Sequence, residues 1–221
     1  MKSKIIISLD GIDEKKALEL SSSLSGLVWG FKVNDLLIQY GTSIIKSLKK
    51  FGSVFADAKL HDIPNTVANS TKAIVSAGAD FLTVHACGGE RMIQAAVNNA
   101  QSAKVLVVTV LTSLNDNDSL NIYGHGANDT VLKFAKIASS AGAHGIICSP
   151  LELKVLSKDA TLSKLLKVTP GIRPSWYEQK DDQSRTMTPE EAIKNGADYL
   201  VIGRAITDSS DPITALKSLQ K

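Results

Sequence analysis

Ionisable side chains are concentrated in the stretch FADAKLHDIPNT, residues 55–66. Asp57, Lys59, His61 and Asp62 fall within six positions, directly after an apolar run. Charged groups at the end of a buried segment are costly unless they are paired, so this stretch is either a solvated turn or part of a site. Two carboxylates and an ammonium group at this spacing could keep one another ionised beside an anionic substrate.

A recurring pattern elsewhere in the chain indicates which elements position these residues. A helical segment ends at a glycine, which tolerates the left-handed backbone that closes a helix, and a short apolar strand follows at once. Strands without polar alternation are typical of parallel sheets that are buried on both faces. The segments with this pattern are SAGADFLTVHA (Gly78), SAGAHGIICSP (Gly142) and KNGADYLVIGR (Gly196).

Extending this pattern along the chain predicts eight strands with helices between them. The predicted strands are 4–9, 27–33, 53–58, 80–85, 104–111, 145–149, 165–170 and 198–203. The predicted helical stretches are 13–24, 34–51, 65–77, 91–100, 128–140 and 188–195, the last with a capping box at Thr188, Pro189 and Glu191.

We therefore predict an α/β protein with a (β/α)8 TIM-barrel fold, in one domain over residues 1–221. An open doubly wound sheet is the alternative, and the absence of GxGxxG after the first strand disfavours it.

In such barrels the chemistry lies at the C-terminal ends of the strands. Asp10 ends the first predicted strand and Lys32 lies in the second, so both are expected at the same mouth as Asp57 and Lys59. Arg204 follows the last strand, where barrels commonly bind phosphate. The long polar loop 171–187 has the length of a lid. A salt-bridged rim without catalytic function is the alternative interpretation of the charged cluster.

Composition limits the remaining classes of function. The formal charge of +3 and the scattered aromatic residues do not support nucleic-acid binding. Cys87 and Cys148 are far apart and lack metal-ligand spacing, so they predict a reducing compartment and no metal site. No apolar run reaches the roughly 18 residues of a membrane span. We expect a cytoplasmic protein that does not bind membranes.

Several motifs together resemble the orotidine 5′-phosphate decarboxylase family of the ribulose-phosphate-binding barrel superfamily. DAKLHDIPNT matches the family signature D-x-K-x-x-D-I. TVLTS (109–113), TPGIR (169–173), DDQSR (181–185) and VIGRAIT (201–207) follow in the family's order. The resemblance implies decarboxylation of orotidine 5′-phosphate to uridine 5′-phosphate (UMP) and CO2, the last step of de novo pyrimidine biosynthesis, without a cofactor.

The resemblance also implies roles for individual residues. Lys59 would stabilise and protonate C6 of the pyrimidine, and Asp57 would face the departing carboxylate. Lys32 and Asp62 would complete the alternating network. The residues expected to bind the substrate are Asp10, Lys32, Ile63, Thr66, Thr112, Pro170, Arg173, Gln183, Gly203 and Arg204.

The family likeness further implies a homodimer in which Asp62, Ile63 and Thr66 enter the partner's site.

Two other functions are the alternatives to decarboxylation of orotidine 5′-phosphate. A metal-dependent decarboxylase or aldolase of the same barrel group would use Asp57 and Asp62 as Mg²⁺ ligands, and the IPNT tail disfavours it. A non-catalytic nucleotide sensor would need the phosphate site but would have no use for Lys59.

Overall fold

The computed structural model describes residues 4–177 and 186–219. Eight parallel strands form a closed barrel in sequence order, and β1 pairs with β8 to complete it. The strands are β1 (Ile5–Ser8), β2 (Gly30–Val33), β3 (Ser53–Leu60), β4 (Phe81–His85), β5 (Lys104–Val108), β6 (Gly145–Ile147), β7 (Leu166–Thr169) and β8 (Tyr199–Ile202). The predicted (β/α)8 barrel is confirmed, and the open sheet is wrong.

Helices cover the outside of the barrel. They are α1 (Glu14–Leu24), α2 (Asp35–Tyr40), α3 (Ser43–Leu48), α4 (Pro64–Ser76), α5 (Glu90–Val97), α6 (Asp116–Tyr123), α7 (Ala127–Ser140), α8 (Leu153–Ser157), α9 (Pro189–Lys194), α10 (Arg204–Thr207) and α11 (Pro212–Ser218). No described helix is long and apolar enough to cross a membrane.

The glycine pattern has the predicted conformation. Gly78, Gly142 and Gly196 have φ values of +104°, +74° and +102°, in the region that favours glycine. The capping box at the start of α9 is also present, since Thr188 accepts from the backbone N–H of Glu191 and the Glu191 carboxylate accepts from that of Thr188.

The helix predicted over 34–51 is divided in two. Gly41, with φ +60°, ends α2, and α3 begins two residues later. Helix α6 is not among the predicted helices because its sequence has no apolar stripe. In the structure the only residue of this helix that is buried is Ser119.

The two ends of the barrel differ in character. At the N-terminal end of the strands, Trp29 stacks on Phe81 with ring centroids 4.3 Å apart, and Tyr199 packs edge-on against Phe81. These rings join an apolar cluster inside the barrel that includes Phe55 and Val201. The aromatic packing closes this end, so the space available for a ligand lies at the C-terminal end.

Candidate active site

A cavity of about 450 Å³ lies at the C-terminal end of the strands. Its floor is apolar, with Phe55, Val108, Ile147 and Val201, and its walls are mostly polar. The predicted site residues that line the cavity are Asp10, Lys32, Asp57, Lys59, Thr112, Pro170, Arg173, Gly203 and Arg204. Residues from the start, middle and end of the sequence therefore meet at the predicted mouth.

Four of these residues form a chain of alternating charges, called the inner array below: Asp10, Lys32, Asp57 and Lys59. Lys32 Nζ lies 2.5 Å from Asp10 Oδ2 and 3.3 Å from Asp57 Oδ2. Lys59 Nζ lies 2.7 Å from the same Asp57 oxygen. The side chain of Lys32 is 9% exposed and that of Lys59 is 35% exposed, so Lys59 presents more of its surface to the cavity.

The backbone reaches this geometry through an irregularity in β3. Ala56 pairs with Leu82 and Leu60 pairs with Val84, so residues 57–59 all face the single residue Thr83. This is a β-bulge, and Lys59 has φ +46° within it. The predicted approach of Lys59 to Asp57 is present, but a regular extended strand does not produce it.

Three residues that the sequence analysis missed support the inner array. The Ser8 hydroxyl donates to Asp10 Oδ2 at 2.8 Å. Asn34 Nδ2 donates to the Asp57 carbonyl oxygen at 2.7 Å. The Thr83 hydroxyl donates to Asp57 Oδ1 at 2.8 Å.

The sequence carries signals for all three. Ser8 lies two residues before Asp10, and Asn34 lies two residues after Lys32, the spacing that puts side chains on one side of a strand. Thr83 is the hydroxyl residue inside the apolar strand FLTVH.

Burial and charge act in opposite directions on the ionisable groups of the array. Burial tends to raise the pKa of Asp57, but Lys32, Lys59 and the hydrogen bonds from Lys59 and Thr83 lower it below its ordinary value. Burial tends to lower the pKa of Lys32, but Asp57 and Asp10 raise it above its ordinary value. Both groups are therefore held charged at neutral pH.

Another part of the cavity wall is built from loops and a helix start. Gly203 precedes α10, which begins at Arg204. The loop after β7 is joined at its base, because Arg173 N donates to the Met187 carbonyl and Met187 N donates to the Gly171 carbonyl. The Arg173 guanidinium also lies 5.7 Å from the centre of the Tyr177 ring. Two arginines, Arg173 and Arg204, thus line the cavity.

Three predicted site residues lie outside this cavity in the single chain. Asp62, Ile63 and Thr66, called the rim segment below, are exposed, with Ile63 67% exposed. Asp62 Oδ1 accepts from the backbone N–H of Ile63 at 2.6 Å. Pro64 occupies the first turn of α4. Gln183 lies outside the described residues.

The oxygens of Asp57, which could be metal ligands, are already contacted by hydrogen-bond donors of the protein. Asp57 Oδ2 is contacted by two ammonium groups and Asp57 Oδ1 by a hydroxyl. Among the described residues, 4–177 and 186–219, no group of three or more His, Cys, Asp or Glu residues is arranged to hold a metal ion.

Comparison with known proteins places the chain in a family. The model of the Orotidine 5′-phosphate decarboxylase / HUMPS family matches residues 3–219. Orotidine 5′-phosphate decarboxylase from Actinobacillus succinogenes is 42% identical, over 99% of this chain and 97% of the relative. Two crystal structures are also similar to this one. The enzyme from Lactobacillus acidophilus has a TM-score of 0.82 at 37% identity, over 98% of this chain and 97% of that one.

The second structure is orotidine 5′-monophosphate decarboxylase from Methanocaldococcus jannaschii, complexed with the inhibitor BMP. It has a TM-score of 0.79 at 25% identity, over 97% of this chain and 95% of that one. Because the family match and the sequence identity both extend over nearly the whole chain, the protein belongs to the Orotidine 5′-phosphate decarboxylase / HUMPS family.

Proposed function

We propose that this chain decarboxylates orotidine 5′-phosphate to UMP and CO2 without a cofactor. The inner array carries the proposal, because it places an ammonium group of Lys59 and a carboxylate of Asp57 2.7 Å apart at the edge of the cavity. The relatives that are 39–42% identical over nearly the whole chain bear the name of this activity.

The reaction needs a proton donor and a way to stabilise negative charge at C6. When the bond from C6 to the carboxylate breaks, CO2 leaves and the electron pair stays on C6. The Lys59 ammonium group stabilises this carbanion and transfers a proton to C6, and the resulting amine regains a proton from solvent. Lys32 is less suited to this role because its side chain is almost completely buried between Asp10 and Asp57.

Asp57 acts on the other charge of the substrate. Its pKa is lowered by the two lysines and Thr83 against the effect of burial, so it stays ionised where the substrate carboxylate would lie. Repulsion between the two carboxylates is relieved when CO2 leaves, and the same carboxylate keeps Lys59 charged and oriented.

The remaining walls of the cavity fit the other parts of the substrate. We assign Asp10 and Lys32 to the ribose hydroxyls and Thr112 to the pyrimidine edge, because all three line the cavity. Gly203 and Arg204 lie where the last strand meets a helix start, a common phosphate site in barrels. The residues proposed to complete the phosphate and apolar contacts are Arg173, Gln183, Pro170 and Ile63.

We further propose a homodimer in which the rim segment enters the partner's cavity. Asp62, Ile63 and Thr66 are exposed and outside their own chain's cavity. Leu111, which lines the cavity, is 38% exposed, so apolar surface is available beside the mouth for a second chain. We also propose a cytoplasmic location, and the two unpaired cysteines are compatible with a reducing compartment.

One assay distinguishes this function from the two alternatives. Purified protein is incubated with orotidine 5′-phosphate and a chelator, and the loss of orotate absorbance is followed, with Lys59→Ala protein as the control for contaminating enzyme. We expect turnover in the presence of the chelator. Turnover that requires added Mg²⁺ would instead support the metal-dependent enzyme, and binding without turnover would support the sensor.

A further inference from the structure

Thr83 is a completely buried hydroxyl residue beside the bulge of β3. Its Oγ1 accepts a hydrogen bond from the backbone N–H of Lys59 at 2.9 Å and donates one to Asp57 Oδ1 at 2.8 Å. We propose that Thr83 is a positioning residue for decarboxylation, which holds the Lys59 backbone and the Asp57 carboxylate in one fixed geometry. The proposal rests on the function proposed above.

The directions of these two hydrogen bonds are determined by chemistry. A backbone N–H can only donate, so the hydroxyl must be the acceptor from Lys59. Its single proton is then directed at Asp57 Oδ1, which is a better acceptor when the carboxyl is ionised. One hydroxyl thus connects the backbone of the proposed proton donor to the carboxylate that orients it.

The bulge explains why this hydroxyl is needed. Because residues 57–59 face only Thr83 on β4, the Lys59 N–H has no place in the regular ladder between the strands. Asn34 holds the Asp57 carbonyl from the β2 side, and Thr83 holds the Lys59 N–H from the β4 side. The positive φ of Lys59, unusual for a side chain of this size, is maintained between these two contacts.

Loss of the hydroxyl is expected to act on both partners. Without it, the partly buried N–H of Lys59 and one oxygen of Asp57 lose a partner, and Lys59 can relax toward an extended conformation. The charged or titratable groups near Asp57 are Lys32 from β2, Lys59 from its own strand and His85 from β4. Asp10, which follows β1, contacts Lys32.

The test compares Thr83→Val, which removes the hydroxyl at almost constant volume, with Thr83→Ser, which keeps it. Thr71→Val is the matched control, because the Thr71 hydroxyl is also buried but has no hydrogen-bond partner among the residues that the structure describes. We expect kcat of Thr83→Val to fall roughly 10- to 100-fold with little change in KM, as for a small misplacement of reacting groups. Thr83→Ser and Thr71→Val should stay within about threefold of wild type.

A second measurement does not depend on activity. The Asp57 carboxyl is titrated by ¹³C NMR in wild type and Thr83→Val, and we expect a higher pKa in the variant because a hydrogen bond to the ionised form is lost. If Thr83→Val does not fold, Thr83→Ala removes the same hydroxyl without adding volume and is measured in its place.

The outcomes separate the two proposals. Absence of turnover by the wild type would contradict the proposed function, whereas the Asp57 titration would still test Thr83. An unchanged Asp57 pKa, or a kcat for Thr83→Val equal to that of wild type, overturns the positioning role. Failure of Thr83→Ser to retain activity overturns it as well, because the side chain would then matter for packing alone.

Discussion

Asp57 and Lys59 of the inner array lie on the same ten-residue stretch as the rim segment, DAKLHDIPNT, yet the environments of the two regions differ completely. Asp57 is 7% exposed and held by contacts from β2, β3 and β4, all within one chain. Asp62 is exposed, and its Oδ1 accepts a hydrogen bond from the backbone N–H of the next residue, Ile63.

The end of β3 at Leu60 separates the two regions. Before it, neighbouring strands of the same barrel complete each side chain's contacts. After it, the chain leaves the barrel, and the proposed contacts of the rim segment require a second subunit. The predictions below test this division, from the largest expected effect to the smallest.

Removing the proposed proton donor is expected to have the largest effect. Lys59→Ala should lower kcat by about 10⁴-fold or more, since it removes both proton transfer and charge stabilisation. Binding of UMP, measured by calorimetry, should persist because the phosphate and ribose contacts come from other elements. Lys136→Ala, at a lysine that is 59% exposed and paired with Asp159, is the control and should be fully active. Substantial decarboxylation by Lys59→Ala would contradict its role.

Arg204→Ala tests the part of the cavity wall that follows β8. Loss of a charge-assisted phosphate contact should lower kcat/KM by about 10²- to 10⁴-fold. Added phosphite dianion should increase wild-type turnover of a substrate that lacks the phosphate, because remote binding energy contributes to catalysis. Steady-state kinetics at constant ionic strength measure both effects. If Arg204→Ala has the kinetics of wild type, the substrate phosphate binds elsewhere in the cavity.

Mixing two inactive variants tests whether the rim segment acts in the partner. Lys59→Ala and Asp62→Ala chains should form heterodimers with one site that carries both defects and one that carries neither. Random exchange makes about half of the dimers mixed, so about a quarter of wild-type activity should return. If Asp62 acts within its own chain, every site keeps one defect. Demonstrated subunit exchange without recovered activity would then exclude the shared site.

The pH dependence of stability should show the smallest effect. The pKa of Asp57 is lowered from 3.8 on folding, so its contribution to the free energy of unfolding is complete above that pH and is lost as pH falls through the folded-state pKa. For Lys32, whose pKa is raised from 10.5, the contribution is complete below that pH and is lost as pH rises through the folded-state pKa. Both contributions are therefore present at neutral pH.

Urea denaturation at fixed protein concentration measures this dependence. Between pH 6 and strongly acidic pH, Asp57→Asn should lose less stability than wild type, because the variant has no carboxylate to protonate at this position. Equal losses in the two proteins would show that the ionised form of Asp57 does not stabilise the fold.

The sequence by itself was sufficient to predict the repeating order of strands and helices. Glycine after each of three helices, followed by an apolar strand, is a local pattern, and the conformations of Gly78, Gly142 and Gly196 match it. The convergence of Asp10, Lys32, Asp57 and Lys59 also followed, because the ends of parallel strands in a barrel meet at one mouth.

Only the tertiary structure decided how the array is held. The bulge at Lys59 depends on the register between β3 and β4, and nothing local in FADAKL specifies that Thr83 will face three residues. Hydrogen bonds from Asn34 and Thr83 to Asp57 likewise join residues that are distant in the chain. Sequence periodicity shows which side of a strand a residue faces, whereas register and bulges depend on the pairing of segments distant in the chain, which is settled only when the barrel closes.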